Sequence, residues 1–291
     1  MDATIERPQE AEVEQRGRRF AHASHPVIRA AAAEFSSGFE AGTLRFFDVA
    51  LPHCDRFVDF GAYVGFTSLY AATHGVEVTA FEPNPHSFAL LRANLAANPD
   101  LAPRIRARAQ GVGARDEAVT LYAKGAVDSG ASVFQDVERA VLVRGAPTAT
   151  VQLRDAAAVL TEIGVDRRTL VKIDIEGAEY AVLPALGALL SARKPWLHVS
   201  FHPFNLPPGA DAYADTIMRL RAGLEVAELL AGYRFMHLFA DGFWTTIGSV
   251  ERMDFLRHYL LRPKKVARIA SPQYGFVDAV AFSEVPLPAN A

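Results

Sequence analysis

Two short stretches of this chain carry acidic side chains and glycine at the end of an apolar run: Phe57-Val-Asp-Phe-Gly-Ala-Tyr-Val-Gly65 and Val171-Lys-Ile-Asp-Ile-Glu-Gly-Ala-Glu179. Each reads as a buried strand that enters a glycine turn. In an open α/β sheet, ligands sit in the crevice at the carboxyl ends of the strands, so two such ends predict one cleft with chemistry in it. The first stretch differs from the dinucleotide Gly-x-Gly-x-x-Gly pattern, because Asp59 precedes the first glycine and only Gly61 and Gly65 match. A carboxylate there would repel a pyrophosphate seated on the following helix. A ligand with a cationic head and no phosphate suits it better, and S-adenosyl-L-methionine, with a sulfonium and an amino group, is such a ligand. Glu82 ends the next apolar run, where a carboxylate can accept both ribose hydroxyls. Asn84, in the turn Pro83-Asn-Pro85, adds a polar contact nearby.

The second stretch supplies Asp174 and Glu176, and Gly177 permits a sharp turn into the helix that holds Glu179. Transfer of a methyl group from a sulfonium is an in-line displacement, for which positioning supplies much of the acceleration. A base or a metal can add to it by making the acceptor oxygen more nucleophilic. Three readings of Asp174 and Glu176 stand side by side: they orient the acceptor and act as base, they bind a divalent cation, or they are acids favoured at a helix start. Lys172 is either an edge residue or the partner of an acid. In Trp196-Leu-His-Val-Ser-Phe-His202, strand alternation puts His198, Ser200 and His202 on one face. His202, before a proline, begins a loop over the cleft, where a neutral imidazole could take the acceptor's proton or bind metal. We select Asp174, Glu176 and His202 as catalytic candidates, with no metal assigned. Asp128-Ser-Gly-Ala-Ser132 reads as a loop near the site or a plain surface turn. Phe243, Trp244 and Tyr274 read as an acceptor-pocket floor or as core.

The elements that position these residues follow from periodicity. A helical cap is predicted over residues 26–35 and 42–51, ahead of the main fold. Then strands at 56–60, 77–82, 105–112, 118–123, 170–175 and 196–201 are interleaved with helices at 67–74, 87–98, 155–163 and 178–190. Strands alternating with helices predict βαβ units and a parallel sheet. A helix at 212–231, a hairpin at 233–247 turned at Asp241-Gly242, and a last strand at 277–283 complete the chain. A basic, irregular insertion precedes that strand, at about 250–276. Residues 1–51 are thus read as a flexible N-terminus and cap, and 52–291 as one domain.

Through Val58-Asp-Phe-Gly-Ala-Tyr-Val-Gly-Phe-Thr-Ser-Leu69, Phe81-Glu-Pro-Asn-Pro85 and above all Leu170-Val-Lys-Ile-Asp-Ile-Glu-Gly-Ala-Glu179, the sequence resembles the FkbM family of S-adenosylmethionine-dependent methyltransferases, over roughly residues 55–240. The resemblance implies an α/β class I methyltransferase fold, a Rossmann-like three-layer sandwich. Its mostly parallel seven-stranded sheet would carry an antiparallel last strand. It implies O-methylation of a small-molecule hydroxyl, on a sugar or natural-product intermediate. It also implies that Asp59, Gly61, Ala62 and Gly65 line the methionine and adenosine side of the cofactor site, with Glu82 on the ribose. Gln110 and Gly111 would meet the adenine edge, although a turn needing glycine accounts for them equally. Phe60 and Tyr63 stand where smaller or polar residues are common in that loop. Two other classes compete with this reading: an NAD-dependent oxidoreductase on a related sheet, and a non-catalytic module that binds S-adenosylmethionine.

Composition is consistent with a soluble enzyme. The 291 residues are half apolar and carry a formal charge of −3, which offers no footprint for nucleic acid. Cys54 is the single cysteine, so an internal disulfide is impossible, and it reads as a small buried hydrophobe. No apolar run is long enough to cross a membrane, and the charged first nineteen residues lack a signal-peptide core. The expectation is a cytoplasmic protein whose start is frayed, with a small hydroxylated acceptor as its partner and the oligomeric state left open.

Overall fold

The computed structural model describes residues 12–38, 41–123, 126–127, 129–134, 146–207, 209–240, 243–248, 254, 258–265, 274–276 and 279–288. The chain opens with an antiparallel hairpin of β1 (Glu12–Gln15) and β2 (Arg18–Ala21), followed by α1 (Pro26–Ser36) and α2 (Ala41–Ala50). An alternating run follows: β3 (Arg56–Phe60), α3 (Phe66–Ala72), β4 (Glu77–Phe81), α4 (Pro85–Ala96) and β5 (Ile105–Arg108). Next, β6 (Gly111–Gly113), β7 (Glu117–Ala123) and β8 (Ala146–Asp155) build a separate three-stranded sheet in the order β6-β8-β7. The last part holds α5 (Ala156–Ile163), β9 (Thr169–Ile173), α6 (Glu179–Ala185), α7 (Gly187–Arg193), β10 (Trp196–Ser200), α8 (Ala212–Leu230), β11 (Phe235–Ala240), β12 (Phe243–Gly248) and β13 (Ala279–Ser283).

The main sheet runs β12-β11-β13-β10-β9-β3-β4-β5. The block from β10 to β5 is parallel, as the interleaved helices require. The last strand, β13, is antiparallel, and it lies between β10 and β11 rather than at an edge. The sheet has eight strands instead of the expected seven, because residues 243–248 fold back on β11 as β12 and pair with it along its length. Buried side chains alternate along the strands. Phe57, Leu170 and Trp196 face the core under α1, α2 and α3, whereas Val58, Phe60, Val171, Ile173, Leu197 and Val199 face the core under α5, α6 and α8. The result is a helix–sheet–helix sandwich. Strand order reverses between β3 and β9, and ligands of open α/β sheets bind at such a switch point. The two acidic motifs sit at those two strand ends.

Four details depart from the sequence-based expectation. The run 105–112 is two strands in two sheets, because β5 pairs with β4 only to Arg108 and the chain then joins β8. The helix expected at 178–190 is broken into α6 and α7, with Pro184 inside the first and Gly187 packed so closely on α8 that a Cβ would lie 2.5 Å from Leu229 Cδ1. Strand β8 was not anticipated. Nor was the first hairpin, where Val13 and Phe20 are buried and side-chain amides in and just after α4 hold the chain: the Asn98 amide exchanges hydrogen bonds with the Ala21 backbone, and Asn94 Oδ1 accepts from Ala23 N. Residues 1–11 of the expected frayed start, the Asp241-Gly242 turn and most of the 250–276 insertion lie outside the described residues, whereas residues 12–19 belong to the first hairpin. Cys54 is buried as expected, and burial pushes its thiol up to about 12.

Candidate active site

The donor side is built around a left-handed turn after β3. Gly61 has φ +85, and a Cβ on it would stand 1.8 Å from the carbonyl oxygen of Asp174, so the loops after β3 and β9 touch through backbone. Tyr63, a non-glycine residue, is held at φ +51 with its N–H donated to Glu82 Oε2 at 2.8 Å. The other oxygen of Glu82 accepts from Asn84 N at 2.8 Å. The carboxylate therefore ends β4 in a fixed orientation. Burial pushes Glu82 up to about 7, against the pull of those two N–H donors.

Asp59 occupies a different place from the one expected. It is fully buried beneath the turn, with Oδ2 accepting from Thr67 Oγ1 (2.8 Å) and Ser68 Oγ (2.7 Å) and Oδ1 facing Lys172 Nζ at 3.3 Å. Its neighbours in α3 and β9 use both oxygens, so it braces the loop instead of lining a cavity. Gly65 starts α3 at φ +87 against Leu91 and likewise lines neither of the two cavities at the junction. Asn84 is spent on structure: Oδ1 accepts from His86 N at the start of α4, and Nδ2 donates to Ala126 O. Gln110 points to a separate cavity with Arg56, Glu77 and Arg106, because the chain turns between β5 and β6.

Lys172 is the buried cation of the cleft. Its Nζ lies 3.3 Å from Asp59 Oδ1, Asp174 Oδ2 and Gly61 O, tying both strand ends together. Burial alone would raise the Asp174 carboxyl; Lys172 and then His202 outweigh it and hold the group below its ordinary range. Glu176 sits at φ +53, with Oε2 accepting from Asn205 Nδ2 at 2.6 Å and its carbonyl accepting from Ser132 Oγ at 2.6 Å. Gly177, at φ +105, leaves room for Asn205, whose Cβ would lie 2.8 Å from a Cβ there. The fully buried Glu179 closes the loop by accepting from Ile175 N and Gly177 N, and it contacts His202 Nδ1 at 2.9 Å. His202 Nε2 is then aimed at Asp174 Oδ1 (3.7 Å) and Glu176 Oε1 (3.6 Å). Burial works against charge on this ring, but Glu176, Glu179 and Asp174 prevail and push it up to about 10. The histidine thus carries its proton at neutral pH, which corrects the expectation of a neutral imidazole ready to take one. His198 lies among Phe46, Phe47 and Trp244, pushed by burial down to about 3, and neither ring nitrogen has a hydrogen-bond partner among the described residues.

Two cavities meet at this junction. The smaller, about 60 Å³, is lined by Glu82, Gly111, Val112, Leu121 and Leu153. The larger, about 530 Å³, is lined by Val27, Ala30 and Glu34 of α1 together with Ala62, Thr67, Lys172, Ser200 and His202. Gly61, Tyr63, Ser129, Asp174 and Glu176 line both. Of the residues singled out by sequence, the structure therefore gathers Gly61, Ala62, Glu82, Gly111, Asp174, Glu176 and His202. Trp244, read as a possible pocket floor, is core: its indole donates to Gly42 O and packs on Phe46. Asp128 lies outside the described residues, while Ser129 at its side reaches both cavities. Sequence reasoning noted Tyr63 only as a bulky residue in its loop and passed over Asn205 and the clamp role of Glu179. Only the positive φ of Tyr63 and the loop packing reveal them.

A parallel α/β sheet with glycine-turn strand ends meeting at its switch point is the architecture of the doubly wound cofactor-binding proteins. The chain belongs to the FkbM methyltransferase family: the family model described as "Methyltransferase FkbM domain" matches residues 59–235, more than half of the sequence and all of the junction just described. Among solved structures, the chain is similar to methyltransferase FkbM from Methylobacillus flagellatus KT at 18% identity, with 79% of this chain and 44% of that chain covered and a TM-score of 0.42. It is similar to the SAM-dependent methyltransferase from Agrobacterium tumefaciens at 12% identity, covering 74% and 57%, with a TM-score of 0.37. For the glycopeptide N-methyltransferase MtfA complexed with sinefungin, the values are 12%, 85%, 86% and 0.33. The chain thus spans about half the length of the first two. A comparison with curated proteins finds no match. None of the described helices is long and apolar enough to cross a membrane.

Proposed function

We propose that this protein is an S-adenosyl-L-methionine-dependent O-methyltransferase acting in the cytoplasm on a hydroxyl of a small molecule, such as a sugar or natural-product intermediate. The observation that carries the reading is the shared wall of the two cavities, in which the Gly61 backbone meets the Asp174 backbone. The smaller cavity marks the adenosine end of the cofactor site, though at about 60 Å³ it does not enclose the whole nucleoside, with Glu82 accepting the ribose hydroxyls and Gly111 and Val112 at the adenine. The sulfonium lies at the junction, where the carboxylates of Asp59 and Asp174 outnumber the ammonium of Lys172 by one negative charge. The larger cavity receives the acceptor under α1, which with α2 forms the cap over residues 1–51, ahead of the domain at 52–291 with its 250–276 insertion.

In the reaction the acceptor oxygen attacks the methyl carbon. The carbon–sulfur bond breaks and its electron pair stays on sulfur, giving a neutral thioether. The hydroxyl proton leaves through the carboxylates of Asp174 and Glu176, while the protonated His202 fixes their geometry and balances their charge. The test couples calorimetry with turnover. S-adenosylhomocysteine should bind and raise the melting temperature while NAD does not, and radiolabelled methyl should pass to members of a panel of hydroxylated acceptors. Asp174→Asn should depress turnover far more than cofactor affinity; equal loss in both would make Asp174 structural. Transfer to amines alone would overturn the oxygen assignment. Binding of NAD instead of S-adenosylhomocysteine would overturn the whole reading.

A further inference from the structure

Each of the three polar side chains at the junction is anchored on one atom and presents another to a common point. Lys172 Nζ sits on Asp174 Oδ2 at 3.3 Å, Asn205 Nδ2 on Glu176 Oε2 at 2.6 Å, and Glu179 Oε1 on His202 Nδ1 at 2.9 Å. Asp174 Oδ1, Glu176 Oε1 and His202 Nε2 converge at the wall of the larger cavity. One ligand atom from each residue lies within 4.8 Å of the others.

The separations from Nε2, 3.7 and 3.6 Å, are longer than a charge-assisted hydrogen bond of about 2.7–2.9 Å. Two ligands of one octahedral cation at about 2.1 Å would stand about 3 Å apart, so a modest inward shift would seat an ion. The outer contacts have the form that orients metal ligands, above all a carboxylate on the far nitrogen of a histidine. Glu179 is fully buried and comes from α6, outside the three converging residues, and it dictates which ring nitrogen faces the cavity.

We propose that Asp174, Glu176 and His202 form a binding site for one divalent first-row cation, which would displace the Nε2 proton of His202 to solvent as it binds. Two oxygens and one imidazole nitrogen favour an ion of the Mn²⁺ type over the purely oxygen-seeking Ca²⁺. The three ligands occupy one face, so the opposite face opens to the cavity. Binding does not depend on the methyl-transfer reading. The role of the ion does rest on it: with a cation bound, Asp174 and Glu176 would be its ligands, and the acceptor hydroxyl held by the ion would lose its proton to solvent instead of through those carboxylates.

The experiment is Mn²⁺ titration of chelator-stripped protein, followed by calorimetry and by electron paramagnetic resonance, with no acceptor present. Wild type should bind one Mn²⁺ per chain. Asp174→Asn and His202→Gln should weaken binding at least 100-fold, with circular dichroism checking the fold. Asn205→Ala, which removes only the anchor on Glu176, should weaken it about tenfold. Absence of stoichiometric Mn²⁺ and Zn²⁺ binding, or equal affinity in wild type and all three variants, overturns the proposal. Methyl transfer undiminished by chelator in a protein that binds no cation would sink this inference and leave the proposed function standing. Cation binding without any methyl transfer would do the reverse.

Discussion

Gly61→Ala tests whether the two acidic strand ends are in backbone contact. The added Cβ would lie 1.8 Å from Asp174 O, and real Cβ contacts do not fall below 3.0 Å, so one loop must move by at least 3.0 − 1.8 = 1.2 Å. Two costs add. The left-handed φ of +85 costs an L-residue about 1–2 kcal/mol. The forced movement strains the Lys172 contact with Gly61 O and the buried Asp59–Lys172–Asp174 arrangement, bringing the total to about 3 kcal/mol. At about 2–4 °C per kcal/mol for a chain of this size, the melting temperature should fall by about 6–12 °C. Gly75→Ala provides the internal control, because Gly75 has φ +87 with nothing within 4 Å of a Cβ, and it should show the conformational cost alone. Displacing a reacting group by about 1 Å costs on the order of 100-fold, so the methyl-transfer rate of Gly61→Ala should drop by about that factor while that of Gly75→Ala stays near wild type. Scanning calorimetry and single-turnover transfer read both quantities. Equal destabilisation by the two substitutions, with transfer unchanged in Gly61→Ala, would refute the reasoning.

Other perturbations separate bracing from binding. Asp59→Asn removes a charge from a buried pair and should cost about 3 kcal/mol in a urea titration, with less than a tenfold change in S-adenosylhomocysteine affinity; a large affinity loss at unchanged stability would return Asp59 to the cofactor wall. Glu82 is raised in the fold from 4.5 to about 7, so its protonated form is the favoured one there. Its contribution to stability is complete below pH 4.5 and fades as pH rises through about 7, by up to about 3 kcal/mol in the ligand-free protein. Ribose hydroxyls donated to the ionised carboxylate reverse that preference, so cofactor affinity should fall as pH drops from 8 to 6, and Glu82→Gln should abolish the slope. A pH-independent affinity in wild type would count against the ribose contact. His198→Leu, which removes two ring nitrogens without hydrogen-bond partners from an aromatic core, should stabilise the protein by about 1 kcal/mol. A loss of stability would show that the imidazole has a structural role beside Lys172, its register partner on β9.

Much of this protein was legible without coordinates. The apolar runs before Asp59, Glu82 and Asp174 are strands because side chains buried on both faces leave no polar alternation. The alternation with helices demands a parallel sheet, and the family follows from the Leu170–Glu179 motif. Gly61 and Gly177 announced turns that no other residue fits. Tertiary structure alone decided what each acid does. Asp59 and Glu82 look equivalent in the sequence, both closing a strand. Yet Asp59 is consumed by Thr67, Ser68 and Lys172 beneath the turn, while Glu82 is held by two backbone N–H groups at a cavity wall. The same holds for His202, which only tertiary packing brings against the three carboxylates of the Asp174–Glu179 stretch. The eighth strand pairs with its hairpin neighbour β11, but the N-terminal hairpin is fastened by Asn94 and Asn98, far along the chain, which no local spacing reveals. Local spacing specifies which residues can do chemistry. Long-range packing, through burial and the charges it forces together, settles which of them bind, which brace and which hold a proton.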